Sequence, residues 1–393
     1  MKRILIIHHG EGVGGGLIAL LGLIEELKVN NKVEVLSIFD SNAVDYIRQA
    51  GVNVTLAKTT FYLKFYRLFL HSEASYFNLM DCVRGMKNLI TYFLSKYIFA
   101  RKELQRLPFD YDIVYLNSTF ISDWAAAANA LGKKVVIHVR EPLSMGILGF
   151  RRAIIRETIK KYCDKIIAIS EDNSDRIGLR EKTTVIYDPV VLKDRKGTDQ
   201  IIPEDGLKYF LYLGGTQRIK GFEQLIKALP FLNSNVRIFF LGGNHALQAG
   251  RLKKIILCFL DPYLWRMKSL LQKMQNSAHI INVGMVDNVF GYYTRSLAVI
   301  SPFWKPHAAL PILEAFSAGK PVIVSDVKGM DELVNSSNGL FFENNNFKAL
   351  ASAINAMAEL PSEDYQALSE GAAKSYQKLK DNKTTVQYVL NTI

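Results

Sequence analysis

The chain has 393 residues, 49% of them hydrophobic, and carries 49 Lys and Arg against 37 Asp and Glu, a formal net charge of +12. This length suits two domains, each with enough apolar residues for a core of its own. No uncharged apolar run reaches the roughly eighteen residues of a membrane-spanning helix, so none is predicted. The charge points to an anionic partner such as nucleic acid, anionic lipid or a phosphorylated substrate, and no nucleic-acid module signature accompanies it.

In chain order, the start MKRILIIHHGEG reads as a first β-strand. Its apolar run is too short for a signal peptide, and no small-residue cleavage site follows. Strands are predicted at residues 4–8, 33–38, 52–56, 113–117, 135–139 and 166–169, and helices at 17–27, 124–131 and 151–162. Such alternation predicts a parallel sheet covered by helices on both faces. Residues 189–206 lose the periodicity and are rich in charge, Pro and Gly, so a linker is placed at 191–206, after a first domain at 1–190. The pattern restarts at 207–375 with strands at 209–213, 236–241, 280–283, 297–301 and 322–324. Helices intervene at about 220–230, 262–276, 310–318 and 346–359, and two more are expected within 362–393. The fold class is therefore α/β, with two separate βα arrays.

Two segments break the alternation. Residues 61–107 hold no strand, and Leu79, Val83, Met86, Ile90, Phe93 and Tyr97 form one helical stripe among basic residues. Leu257, Leu260, Leu264, Met267, Leu271 and Met274 form a second. Each stripe either packs on a core or lies on a membrane surface. The cysteines, Cys82, Cys163 and Cys258, are scattered and odd in number, without metal-type spacing, which fits a reducing cytoplasm.

Four places carry chemistry. The loop HHGEGVGGG, with Gly14, Gly15 and Gly16 before the first helix, is either a close approach for an anion or a tight strand-to-helix turn. It lacks the acidic ribose partner of a dinucleotide fold, the nearest candidate, Asp40, coming about 25 residues later. In VVIHVREP, His138 ends a strand, where ligands of such sheets gather. In LYLGGTQRIKGFEQ, Gly214 and Gly215 precede Arg218 and Lys220 at the mouth of a helix, a cationic setting for a diphosphate or a solvated basic turn. In SPFWKPHAALPILEAFSAGKPVIVSD, Glu314 sits in an otherwise apolar helix between two strands. A carboxylate there must be partnered or solvated. No His, Cys, Asp or Glu cluster suggests a metal.

Together these segments resemble the GT-B glycosyltransferases, in particular family 4 (glycosyl transferases group 1), of the bacterial surface-polysaccharide type. The resemblance spans the chain and is densest over 207–334. It implies a GT-B fold of two Rossmann-like domains facing an interdomain cleft, the first binding acceptor and the second a nucleotide-sugar donor. A C-terminal helix, within 376–393, is expected to cross back to the first domain. The implied activity is a metal-independent, retaining hexosyl transfer from a nucleotide-diphosphate sugar, used as donor substrate without a cofactor, to a saccharide or lipid-linked saccharide. The setting is cell-surface polysaccharide assembly in the cytoplasm, peripheral on the inner membrane face.

Residue by residue, the resemblance assigns Lys220 to the donor diphosphate, Glu314 to the donor ribose, His138 to the neighbourhood of the transferred sugar, and Gly14–Gly16 to the loop near phosphate and acceptor. Two positions depart from the family. Pro306 stands where a sugar-binding Glu is expected, leaving His307 or the backbone N–H groups of Ala309 and Leu310 to serve, and Gly215 stands where an Arg is usual, with Arg218 nearby as substitute. Two rivals stand beside this reading: a GT-B nucleotide-sugar epimerase, which shares the fold and donor site but needs carboxylates around the sugar and is weakened by Pro306, and a non-catalytic binding subunit, prompted by the missing Glu and Arg. A dehydrogenase is a more distant third.

Overall fold

The computed structural model describes residues 1–12, 14–69, 79–145, 149–188, 190, 206–243, 263–286, 288–305, 310–381 and 385–393. Pro306, His307, Ala309, most of the expected linker and the first half of the second stripe lie outside the described residues. The chain divides into two compact units, Met1–Val191 with Lys383–Ile393, and Leu192–Asn382.

The first unit holds a seven-stranded sheet in the order β3-β2-β1-β4-β5-β6-β7. Its strands are β1 Arg3–His8, β2 Lys32–Ser37, β3 Asn53–Leu56, β4 Ile113–Leu116, β5 Lys134–Val139, β6 Lys165–Ala168 and β7 Thr183–Val185. Every pairing is parallel. Alternation sends Leu5, Ile7, Val114, Leu116, Val135 and Ile137 into one core, around the buried Trp124. Ile4, Ile6, Ile113, Tyr115 and Val136 enter the core on the other face, against the helix Gly15–Leu27 and the returning helix Val386–Asn391. Both faces are thus buried, which is why the strands read as near-continuous apolar runs.

The second unit holds a six-stranded parallel sheet in the order β10-β9-β8-β11-β12-β13. Its strands are β8 Lys208–Tyr212, β9 Val236–Leu241, β10 Ile280–Gly284, β11 Ala298–Ser301, β12 Val322–Ser325 and β13 Gly339–Phe342. In each sheet the chain runs outward on one side of its first strand and then returns to the other side. The strand order therefore reverses between β1 and β4, and between β8 and β11. Loops leaving the carboxyl ends of those neighbours diverge and open a crevice, the usual ligand position in such sheets.

Several elements were not predicted, the short helix Phe290–Arg295 among them. The edge strands β7 and β13 are short, and the helices Asn42–Gln49 and Glu171–Ile177 are brief and polar. The two apolar stripes also differ in outcome. In the second, Met274 is buried and Met267 and Leu271 pack on the core. In the first, Met86, Ile90 and Tyr97 are 65%, 56% and 64% exposed. The core there is filled from the other flank, by Tyr62, Tyr66 and Tyr92, whose hydroxyls meet Ser95, Asp123 and Ser122. Among the described residues no helix is long and apolar enough to cross a membrane.

Candidate active site

The loop that leaves β8 is locked by backbone contacts. Gly215 donates its N–H to the Leu241 carbonyl at 3.0 Å and Thr216 donates to Gly243 at 3.3 Å, tying the loop to the end of β9. Gly215 has φ +52°, and a Cβ there would lie 2.6 Å from the Gly243 oxygen. Gly215 therefore contributes close approach of the backbone, its N–H being already engaged. Gly221 has φ +80°, and a Cβ would lie 1.8 Å from the carbonyl oxygen of Pro302, in the loop after β11. Only glycine permits that contact. Trp304 N–H closes the junction by donating to Ile219 O at 3.0 Å.

This junction brings together residues far apart in sequence. Glu314, on the helix Leu310–Ser317, is 6% exposed, and Tyr293 Oη donates to its Oε2 at 2.5 Å. Burial pushes the Glu314 carboxyl up to about 7, while the Tyr293 hydrogen bond and the charge of Lys220 pull it down. Burial lowers Lys220 from its ordinary value, and Glu314 opposes that. The two side chains thus stabilise each other's charged form, and Glu314 is no solvated helix-end carboxylate. Arg218 lies between two rings, its guanidinium carbon 4.5 Å from the Tyr263 centroid and 4.4 Å from that of Trp304. Such stacking fixes the guanidinium plane, and with it the directions in which its N–H groups donate. Leu310 is the first residue of the Glu314 helix.

Near the switch point of the first unit the chemistry is different. His138 on β5 is buried, its Nδ1 2.7 Å from Tyr115 Oη and 3.3 Å from an Arg140 Nη. Arginine only donates, so Nδ1 accepts, and the network assigns the proton of a neutral ring to Nε2. Burial, helped by the Arg140 charge, holds the His138 pKa well below the usual value. Nε2 is buried without a hydrogen-bond partner. The ring is therefore arranged as an N–H donor and not as a general base. Arg140 is itself pinned, donating from Nε to Asn117 Oδ1 at 3.0 Å and pairing through Nη1 with Asp188. Glu141, beside it, accepts from Ser118 Oγ at 2.9 Å and Thr119 Oγ1 at 3.1 Å.

The glycine loop begins beside this network. His8, the last residue of β1, is buried against Gly10, and burial lowers its pKa to about 4. His9, edge-on to Phe120 at 5.8 Å between centroids, is lowered to about 3, again by burial. Gly14 caps the helix Gly15–Leu27 with φ −155°, a conformation open to any residue, and its carbonyl accepts from Leu17 and Ile18. A Cβ on Gly12, Gly14 or Gly16 would meet nothing within 4 Å.

Lys220 and Glu314, with Arg218 in the same loop as Lys220, therefore stand at the second unit's switch point, while Gly14–Gly16 follow β1 at the first unit's and His138, on β5, is joined to the neighbouring β4 through Tyr115. Sequence reading missed Tyr293, Tyr115, Asp188 and Asn117 as partners. It passed over His8, although His8 lies in the glycine-loop segment, and it assigned no role to Arg140 and Glu141, which follow His138 in VVIHVREP.

Residues 194–375 match the family described as Glycosyl transferases group 1. The second unit thus carries a group 1 glycosyltransferase domain, and the chain is a transferase. Its fold matches GT-B glycosyltransferase structures over essentially the whole chain. HepE of Anabaena, solved in complex with UDP-glucose, aligns at a TM-score of 0.71 and 17% identity, covering 100% of this chain and 99% of that one. The UDP-forming α,α-trehalose-phosphate synthase of Burkholderia xenovorans, solved with glucose-6-phosphate, aligns at 0.68 and 12% identity, covering 100% and 99%. The lipopolysaccharide outer core galactosyltransferase WaaB, in its apo form, aligns at 0.61 and 15% identity, covering 100% of both chains. At these identities the likeness is one of fold. No functionally curated protein is significantly similar in sequence.

Proposed function

We propose that the chain is a family 4 glycosyltransferase that moves a sugar from a nucleotide-diphosphate sugar to a saccharide or lipid-linked saccharide acceptor. The observation that carries this is the coupled Lys220–Glu314–Tyr293 group at the switch point of a group 1 glycosyltransferase domain. HepE, a solved neighbour of this fold, holds UDP in one structure and UDP-glucose in another. In this reading Glu314, held by Tyr293, accepts hydrogen bonds from the donor ribose. Lys220 and Arg218 receive the negative charge that grows on the departing diphosphate. Preorganised cations can do that without a metal ion. His138 offers its Nε2–H to a hydroxyl of the transferred sugar, and configuration is retained. Bacterial surface-polysaccharide assembly supplies the setting, with the chain peripheral on the inner membrane face.

The test is turnover of nucleotide sugars by the purified chain, after a thermal-shift screen has found the donor that stabilises it. Lys220→Ala and Glu314→Ala are expected to abolish both the thermal shift and turnover. Unchanged activity in both variants would overturn the assignment. Conversion of the nucleotide sugar to its epimer with no acceptor present would replace transfer by epimerisation.

A further inference from the structure

The exposed stripe in the first unit borders a cavity of about 1000 Å³ between the turn Phe61–Phe65 and the helix Leu79–Leu94. Its walls include Phe61, Phe65, Met86, Ile90, Leu94 and Ile98. Thr91 also lines it, but its hydroxyl is committed to the carbonyls of Arg67 and Asn88, at 3.1 and 3.0 Å. Lys87 is the one charged residue of the lining. The cavity is preformed. Phe61 stacks on Phe99 with centroids 4.1 Å apart, and the neighbouring Tyr62 bonds to Ser95 at 2.7 Å.

The segments that supply the lining are one-sided in charge. Residues 61–69 and 85–102 contain six Lys and Arg and no Asp or Glu, and Lys64, Arg67, Lys87, Arg101 and Lys102 are exposed. Leu63 and Tyr97 stand out beside them, 65% and 64% exposed. Exposed apolar side chains on segments that carry only basic charge are the chemistry of an anionic membrane interface. A second copy of this chain would bring like charge against like.

We propose that this face docks on an anionic lipid bilayer and that the cavity seats one hydrocarbon chain of a bilayer lipid. The proposal deepens the peripheral-membrane part of the reading above and rests on it. Sugar transfer itself does not depend on it.

Flotation with phosphatidylglycerol vesicles against phosphatidylcholine vesicles tests the docking. An Ile98→Trp reporter, read against the parent's own tryptophan signal, tests the seat. Anionic vesicles are expected to bind the full chain, and Lys64→Gln/Lys87→Gln/Lys102→Gln to weaken binding roughly tenfold or more. Ile90→Asp, at a half-exposed position that leaves the fold intact by circular dichroism, is expected to weaken binding comparably. Lipids brominated in mid-chain should quench the reporter more than lipids labelled at the headgroup. Absence of binding to any vesicle would overturn the peripheral-membrane reading and this proposal with it. Anionic binding indifferent to Ile90→Asp, with quenching confined to headgroup depth, would overturn the chain seat alone. Ile90-dependent self-association in the ultracentrifuge would assign the cavity to a second copy and overturn the lipid assignment. Nucleotide-sugar binding should be unchanged in all these variants.

Discussion

The two switch points occupy equivalent places in two similar sheets, yet they are built differently. At the second, the glycines are compulsory, because a Cβ at Gly221 or Gly215 would collide with backbone. At the first, Gly12, Gly14 and Gly16 touch nothing, and Gly14 has an unexceptional conformation, so what they save is room. The second site holds a buried carboxyl and a buried amine, each of which favours the charged form of the other. The first holds neutral imidazoles beside one clamped guanidinium. In one place glycine serves the fold, and in the other it leaves a surface that a bulkier partner can approach. The same residue type in the same position of a βα unit thus carries two different meanings.

Substitutions can break this comparison, the largest expected effect being steric. Gly221→Ala should destabilise the second unit by more than about 4 kcal/mol, or prevent its folding, whereas Gly14→Ala should stay within about 0.5 kcal/mol of the parent in urea unfolding. Equal stability losses would erase the distinction. Lys220→Ala should abolish turnover with the fold intact, as expected for loss of a charge aimed at a developing anion, the residual rate lying at least about 10²- to 10³-fold below the parent.

Acid should shift the stabilities of the two units in opposite directions. Glu314 has its pKa raised to about 7, so the native second unit holds the extra proton between about 4.5 and 7, and its stability falls as pH rises through that window. His8, lowered to about 4, gives the opposite slope, and its contribution is lost as pH falls from about 6.5 toward 4. His9 and His138 act in the same sense as His8, while the buried Asp123, raised to about 7, partly offsets them. The shifts of Glu314, His8, His9 and Asp123 are each worth roughly 3 to 5 kcal/mol. Hydrogen exchange at pH 5 against pH 7.5 should show the first unit loosened and the second tightened, and parallel behaviour would contradict these protonation states. The smallest effect concerns the role of His138. His138→Gln keeps an N–H donor and should stay within about fivefold of the parent in kcat/KM, while His138→Phe should lose roughly tenfold or more. Equal losses would favour a base.

Much of this was legible in the residues. Short, near-continuous apolar runs alternating with helical patterns pointed to two parallel sheets, and a lone Glu in an apolar helix pointed to Glu314. Its partner was not legible. Tyr293 lies 21 residues upstream in a segment with no distinctive spacing, and only the packing of the helix Phe290–Arg295 brings it into reach. Asp188 pairs with Arg140 across 48 residues of chain for a similar reason. The edge strands β7 and β13 are too short to show a period. The stripe at Met86, Ile90 and Tyr97 was found correctly as a face, but periodicity says which residues share a side and not what that side meets.

The helix Val386–Asn391 belongs to the first unit although nearly two hundred residues of the second precede it. Lys2 Nζ donates to the carbonyls of Leu390 and Ile393 at 2.5 and 2.6 Å, Asn31 donates to Gln387, and the Gln387 N–H donates to Glu26. The ribosome therefore releases the lid of the first core only after the whole second unit has been made. Until then Leu20, Leu23 and Ile24 lack the apolar cover that Val386, Val389 and Leu390 provide. A stop or frameshift past residue 382 would leave the group 1 domain intact and still cripple the other half of the protein.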